Sequence, residues 1–198
     1  MKRLKKLLIT GFEPFGGESV NPSWEAVSRL PDRVGGWQLT RLQVPTVFAL
    51  AAGKALQAAE TLRPDAVLCV GQAGGRAGVT PEMLAVNRRK ASIPDNAGNR
   101  PEDEPVDPEG PAAYFTTVPA RKMTEAIQEA GIPAFLSFSA GTFVCNDLLY
   151  TLLRRFDGTE TRVGFIHVPF LPEQAKNGQP ALPPEKMILA LQRAVEAL

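Results

Sequence analysis

The sequence predicts an α/β protein, a single open α/β/α sandwich built on a twisted, mainly parallel central sheet. Three observations carry that expectation. Short apolar runs alternate with longer helix-forming segments along most of the chain, the pattern of a sheet covered by helices. Several of the runs are continuously apolar rather than alternating, as strands buried on both faces are. The 198 residues suffice for a sizeable core and fit one domain spanning 1–198, with no internal repeat.

In chain order, "KKLLIT" (5–10) reads as the first strand. "NPSWEAVSRL" (21–30) reads as a helix with Asn21 as N-cap and Pro22 at its first position, where a missing N–H costs nothing. "WQLTRLQV" (37–44) is a strand, Val47 to Leu62 an Ala-rich helix, and "AVLCVG" (66–71) an apolar strand. "LAVNRRKAS" (84–92) and "AFLSFS" (134–139) also read as strands. Arg121 to Ala130 forms a helix that Gly131 suits as a C-cap. Leu148, Leu149, Leu152, Leu153 and Phe156 recur at helical spacing, which starts a helix near Asn146. "RVGFIHV" (162–168) is the last strand and Pro184 to Leu198 the last helix. One stretch, 94–119, is dense in Pro, Asp, Glu and Gly with no sustained period. Such a segment is a lid, a binding loop or an oligomer contact, or else a solvated excursion.

Composition narrows the function. A formal charge of +1 argues against a nucleic-acid footprint and leaves small molecules or peptides as partners. Two cysteines, Cys69 and Cys145, make no disulfide framework, and a reducing cytoplasm is the simplest compartment. The start, "MKRLKKLLIT", is basic like a signal n-region, but its apolar run is too short for an h-region, and no run approaches the roughly 20 residues of a membrane span.

The chemistry gathers around "SAGTFVCNDLLY" (139–150). Cys145 falls at a helix N-terminus, whose dipole favours a thiolate and lowers its pKa. Cys69, inside an apolar strand, reads as core. A cysteine nucleophile needs a base, and the chain has one histidine, His167, at the C-terminal end of a strand, the edge where open α/β sheets place ligands. A carboxylate should orient the imidazole. Glu82, brought in by the glycine-rich "GQAGGRAGVTPEMLAVN" (71–87), is the leading candidate, with Asp147 and Glu173 as rivals.

Five blocks together, "GFEPFGGESVNPSWEAV", "GQAGGRAGVTPEMLAVN", "IPDNAGNRPEDEPVDPEGPAAYFTTVP", "AGIPAFLSFSAGTFVCNDLLY" and "GFIHVPFLPEQ", resemble the pyroglutamyl peptidase I, or pyrrolidone-carboxylate peptidase, family from about Leu7 to Gln174. The resemblance implies a cysteine exopeptidase that removes an N-terminal pyroglutamyl residue through a thioester, using a Cys145, His167, Glu82 triad with no metal and no cofactor. It also implies pyroglutamylated peptides as partners and a homotetramer. Phe12, Phe15 and Phe143 would enclose the lactam ring, with Val144 beside them. Asn21 and the Gln72 backbone would meet its polar groups, and backbone N–H groups near Cys145 would hold the oxyanion.

The family usually carries Arg or Lys directly after the glutamate and Arg before "IPDN", where this chain has Met83 and Ser92. Arg76, Arg88 and Arg89 are nearby sources of charge. Those two departures motivate a second reading, a catalytically weakened relative that binds pyroglutamate on the same scaffold. A third, a phosphate-binding transferase using "GQAGGRAG" as an anion loop, lacks the Lys-Ser/Thr pair of a P-loop.

Overall fold

Four parallel strands form the middle of the sheet: β1 (Lys5–Phe12), β3 (Trp37–Val44), β4 (Ala66–Gln72) and β8 (Arg162–Val168). The structure, a computed structural model, describes residues 4–198. Two short antiparallel strands, β2 (Arg33–Val34) and β5 (Thr80–Pro81), close the edges, giving the order β2-β3-β1-β4-β8-β5. The sheet is therefore mixed, with a parallel centre.

Alternate residues of each central strand enter different cores, as a two-residue side-chain period requires. Leu7, Ile9, Leu68 and Ile166 pack with α1 (Pro22–Ser28), α3 (Ala120–Glu129) and α5 (Pro184–Glu196). Leu8, Val67, Cys69 and Phe165 pack with α2 (Leu50–Leu62) and α4 (Val144–Phe156) on the other face. Both faces being covered explains the continuously apolar runs. Among the described residues, no helix is long and apolar enough to cross a membrane.

Local signals set several boundaries. Asn21 caps α1, its side chain accepting from the Ser23 amide at 3.0 Å, and Gly131 follows α3 with φ 74°, a conformation that costs glycine little. Other elements differ from expectation. "LAVNRRKAS" is strand only as β6 (Leu84–Val86), which leaves the main sheet and pairs with β7 (Ala113–Phe115). After it, Asn87 turns the chain away by donating to the carbonyls of Asp107 and Gly110.

"AFLSFS" is no strand but an extended segment touching the edge through single bridges, Val79 to Ala134 and Glu82 to Ser137. The short β5 beside it ends on Pro81, which has no N–H to extend a ladder. Helix α2 starts at Leu50 rather than Val47, because Ala49 takes φ 61° and donates its N–H to Asp147 at 2.8 Å.

The Pro-rich stretch 94–119 is organised. Asp95 accepts from the amides of Phe48, Ala97 and Asn99, and Asn96 donates from its side chain to Glu13 and to the Pro14 carbonyl. It braces the "GFEPF" loop.

Candidate active site

The site forms where β4 and β8 end side by side. Gly71 stands opposite His167 in their register. A Cβ on Gly71 would come within 2.8 Å of Cys145 Sγ and 2.7 Å of the Phe165 ring, so only glycine lets the start of α4 close down over the strand ends. Helix α4 begins at Val144, two residues earlier than its leucine spacing indicated, which puts Cys145 inside the first turn. The N–H groups of that turn have no intrahelical acceptor.

Glu82 arrives from the sheet edge. Its amide donates to the Phe165 carbonyl at 2.9 Å, which carries the fully buried carboxylate beneath the imidazole. His167 Nδ1 lies 2.7 Å from Glu82 Oε1. A carboxylate only accepts, so Nδ1 carries the proton and Nε2 presents a lone pair. Arg76 Nη1 donates to the same Oε1 at 2.6 Å, and Arg76 Nη2 to the Ser139 carbonyl at 2.9 Å.

The rivals for the third position are elsewhere. Asp147 is buried against Arg89 Nε at 2.6 Å and the Ala49 amide, and Glu173 is exposed. Of the three arginines named above, Arg89 pairs with Asp147 and Arg88 with Asp103, and Arg76 alone places its charge against Glu82.

The electrostatics correct one expectation. Burial pushes the Cys145 thiol up to about 12, the Glu82 charge adding to the rise, and these outweigh the opposing influence of Arg76 and of the cysteine's own amide. The helix-start location therefore does not make a resting thiolate. Burial likewise holds His167 below its usual value, Glu82 pulling it up and Arg76 pushing it down. Glu82 is opposed by its own burial, yet the His167 hydrogen bond, with Ser137 and Arg76, keeps it below the usual carboxylate range. These directions together favour thiol, neutral imidazole and carboxylate over a thiolate–imidazolium pair. Cys69, fully buried and also pushed up to about 12 by burial, is core as expected.

Cys145 and His167 open together into a cavity of about 180 Å³ walled by Phe12, Phe15 and Phe143. Phe143 fixes that wall by packing on Phe15 (centroids 6.0 Å apart) and edge-on to Phe48 (5.3 Å). Gln72 also lines the cavity, and its side-chain Oε1 is buried with no protein hydrogen bond. Asn21 lines it too, but its Oδ1 serves the Ser23 amide and hydroxyl and its Nδ2 donates to the Glu13 carbonyl, leaving one N–H for a ligand.

Val144 does not belong to the pocket by its side chain. It is fully buried in the α2/α4 core, because the helical turn that aims Cys145 at the cavity rotates its predecessor inward, and only its backbone N–H is available. Sequence reasoning missed Gly71 and Thr46. The first was hidden in a strand, and the second lines the cavity with its hydroxyl donating to the Glu13 carbonyl at 3.0 Å.

Comparison with known proteins finds relatives that match nearly the full length of the chain. A pyrrolidone-carboxylate peptidase of Levilactobacillus brevis is 49% identical over 197 residues, covering 98% of this chain and 97% of the relative. The crystal structure of Bacillus amyloliquefaciens pyroglutamyl peptidase I superposes with a TM-score of 0.93 at 46% identity, covering 98% of this chain and 96% of that one. The pyrrolidone carboxyl peptidase of Thermococcus litoralis gives 0.91 at 36% identity, covering 98% and 92%. The pyroglutamyl peptidase family model matches residues 5–198, and the chain belongs to that family.

Proposed function

We propose that this chain hydrolyses the N-terminal pyroglutamyl residue from peptides, with Cys145 as nucleophile, His167 as base and acid, and Glu82 as the orienting carboxylate. The observation that carries the reading is the buried Glu82–His167 hydrogen bond set beside a cysteine that shares the same apolar cavity.

Cys145 Sγ attacks the pyroglutamyl carbonyl carbon as His167 Nε2 takes the thiol proton. Glu82 stabilises the imidazolium so formed. First-turn N–H groups of α4 meet the developing oxyanion, where the positive end of the helix is worth most. The C–N bond then breaks, His167 returns its proton to the leaving amine, and the shortened peptide departs. Water attacks the remaining thioester, giving a proton to Nε2, and the sulfur leaves as a thiol once that proton is passed back. Pyroglutamic acid is released.

The pocket suits a neutral flat lactam. Three phenylalanines supply apolar walls, Gln72 lines the cavity where its backbone would meet the polar groups of the ring, and the nearest cation, Arg76, is engaged by Glu82. The reading extends to a homo-oligomer, tetrameric by the family resemblance. Phe115, Phe135 and Phe138 support it, being 67%, 53% and 60% exposed on segments that meet at Met83. A cytoplasmic location fits a chemistry that needs its thiol reduced.

The test is amine release from a pyroglutamyl coumarylamide, run beside the prolyl and glutaminyl analogues. Turnover of the pyroglutamyl compound that vanishes in Cys145→Ala supports the peptidase; tight pyroglutamate binding without turnover would establish the weakened binding relative instead.

A further inference from the structure

A second groove opens beside the active-site cavity and shares its wall. It has a volume of about 810 Å³, and Phe143 lines both spaces. Continuity also runs through the backbone on two sides: Ala73 lines the cavity and Gly74 the groove, while Gly141 lines the cavity and Thr142 the groove. A substrate whose ring fills the cavity and whose carbonyl sits at Cys145 has to send the rest of its chain outward, and this groove is the adjoining open space.

Its chemistry is set by Lys90 and Arg100, against a single carboxylate, Glu102. Among the described residues, neither cation forms an ion pair, whereas the preceding arginines, Arg88 and Arg89, are both engaged. The frame beneath them is fixed. Lys90 exchanges hydrogen bonds with Thr142, its amide donating at 3.0 Å and its carbonyl accepting the threonine hydroxyl at 2.9 Å, and the Ala91 amide donates to the Pro101 carbonyl at 2.9 Å. Both cations thus hang from backbone tied to the wall that Phe143 continues. Exposed Ile93 adds an apolar patch.

We infer that this groove receives the peptide downstream of the cleaved bond and that Lys90 and Arg100 favour substrates bearing a carboxylate within their first few residues after it. The inference rests on the peptidase reading. The carboxylate is either an acidic side chain or the C-terminus of a short peptide, since both present the same acceptor pair to a cation.

Four peptides separate these cases: pyroglutamyl-Ala-Glu amide, pyroglutamyl-Ala-Lys amide, and pyroglutamyl-Ala-Ala with a free or an amidated C-terminus. The expected kcat/KM for the Glu peptide exceeds that for the Lys peptide by about three- to tenfold at low salt, as two exposed cations allow, and the ratio shrinks as salt is added. A free-acid advantage in the Ala pair assigns the effect to the C-terminus as well. Lys90→Ala/Arg100→Ala should erase the ratio while leaving pyroglutamyl coumarylamide turnover unchanged, since that compound has no peptide tail. Equal kcat/KM across the peptides, or a preference that survives the double substitution, overturns the inference. Absence of coumarylamide turnover in the unaltered chain would overturn the peptidase reading and this one with it.

Discussion

Arg76 and His167 meet on one oxygen atom: Glu82 Oε1 lies 2.6 Å from the guanidinium and 2.7 Å from the imidazole. Through its other nitrogen Arg76 holds the Ser139 carbonyl, so it ties the Glu82 carboxylate to the loop that leads into Cys145. The groups acting on His167 are then Glu82, which favours its charged form, and burial with Arg76, which oppose it.

The pH profile of Arg76→Gln follows from that balance. In its proposed role as base His167 must be neutral, and Arg76 lowers its pKa. Removing the guanidinium raises the His167 pKa, so the acidic limb of kcat/KM moves to higher pH and activity is lost first under mildly acidic conditions. A purely structural role for Arg76 would lower kcat/KM evenly with no displaced limb. Rates across the acidic range decide between them.

The roles proposed for Cys145, His167 and Glu82 predict unequal losses. Cys145→Ala and His167→Ala should abolish turnover, because each removes a group that bonds to the reacting atoms or their proton. Glu82→Gln should keep a residue of activity, reduced by roughly 10³ to 10⁴, since the imidazole then lacks its stabilising charge but retains a neighbour of the same shape. Unchanged turnover in Glu82→Gln would remove the orienting role from Glu82.

The thiol should be protonated at rest. Burial pushes Cys145 up to about 12, so the ultraviolet thiolate signal that distinguishes the unaltered chain from Cys145→Ser should be absent near neutral pH. Iodoacetamide should inactivate slowly, faster as pH rises, through Cys145 and not the fully buried Cys69. A Cys145-dependent thiolate signal below neutral pH would contradict this.

Gly71→Ala tests the close approach of α4. The added methyl meets Cys145 Sγ and the Phe165 ring at separations under 3 Å, and the expected result is a loss of about 1–3 kcal/mol in stability with a fall of more than tenfold in kcat/KM. Gly53→Ala serves as the contrast. Its Cβ would meet nothing within 4 Å inside α2, so it should stabilise by about 0.5–1 kcal/mol and leave kinetics alone. Denaturation curves and rates on both variants check the pair.

Discrimination should rest on polar groups more than on fit. Proline lacks the lactam carbonyl and leaves its partner in the pocket unsatisfied, so pyroglutamyl substrates should exceed prolyl ones by roughly 10⁴ or more in kcat/KM. Phe143→Ala should lower the pyroglutamyl value and leave Cys145 alkylation largely intact. Comparable values for the two substrates would remove the lactam pocket.

The central strands, the five helices and the convergence of Cys145 and His167 on one rim were legible because they rest on local information. Apolar period marks a buried strand, Asn21-Pro22 marks a helix start, and a strand's C-terminal end marks a ligand edge. Family blocks then singled out Glu82 from two rivals that spacing alone left open.

What only the tertiary structure decided depends on residues far apart in the chain. Segment 134–139 is as apolar as a strand, but β5 beside it ends on a proline, so it docks through single bridges. Val144 faces the core because a helical turn places successive side chains on different faces, and that phase depended on where α4 begins. The thiol's pKa turned on burial, which no local dipole argument includes. Arg76 reaches Glu82 only because β5 folds back along β8, and the groove held by Lys90 and Arg100 exists only because Thr142 is tied to Lys90 across 52 positions of sequence. Periodicity and caps are encoded within a few residues, whereas charge balance and enclosure belong to whichever distant groups the finished fold brings together.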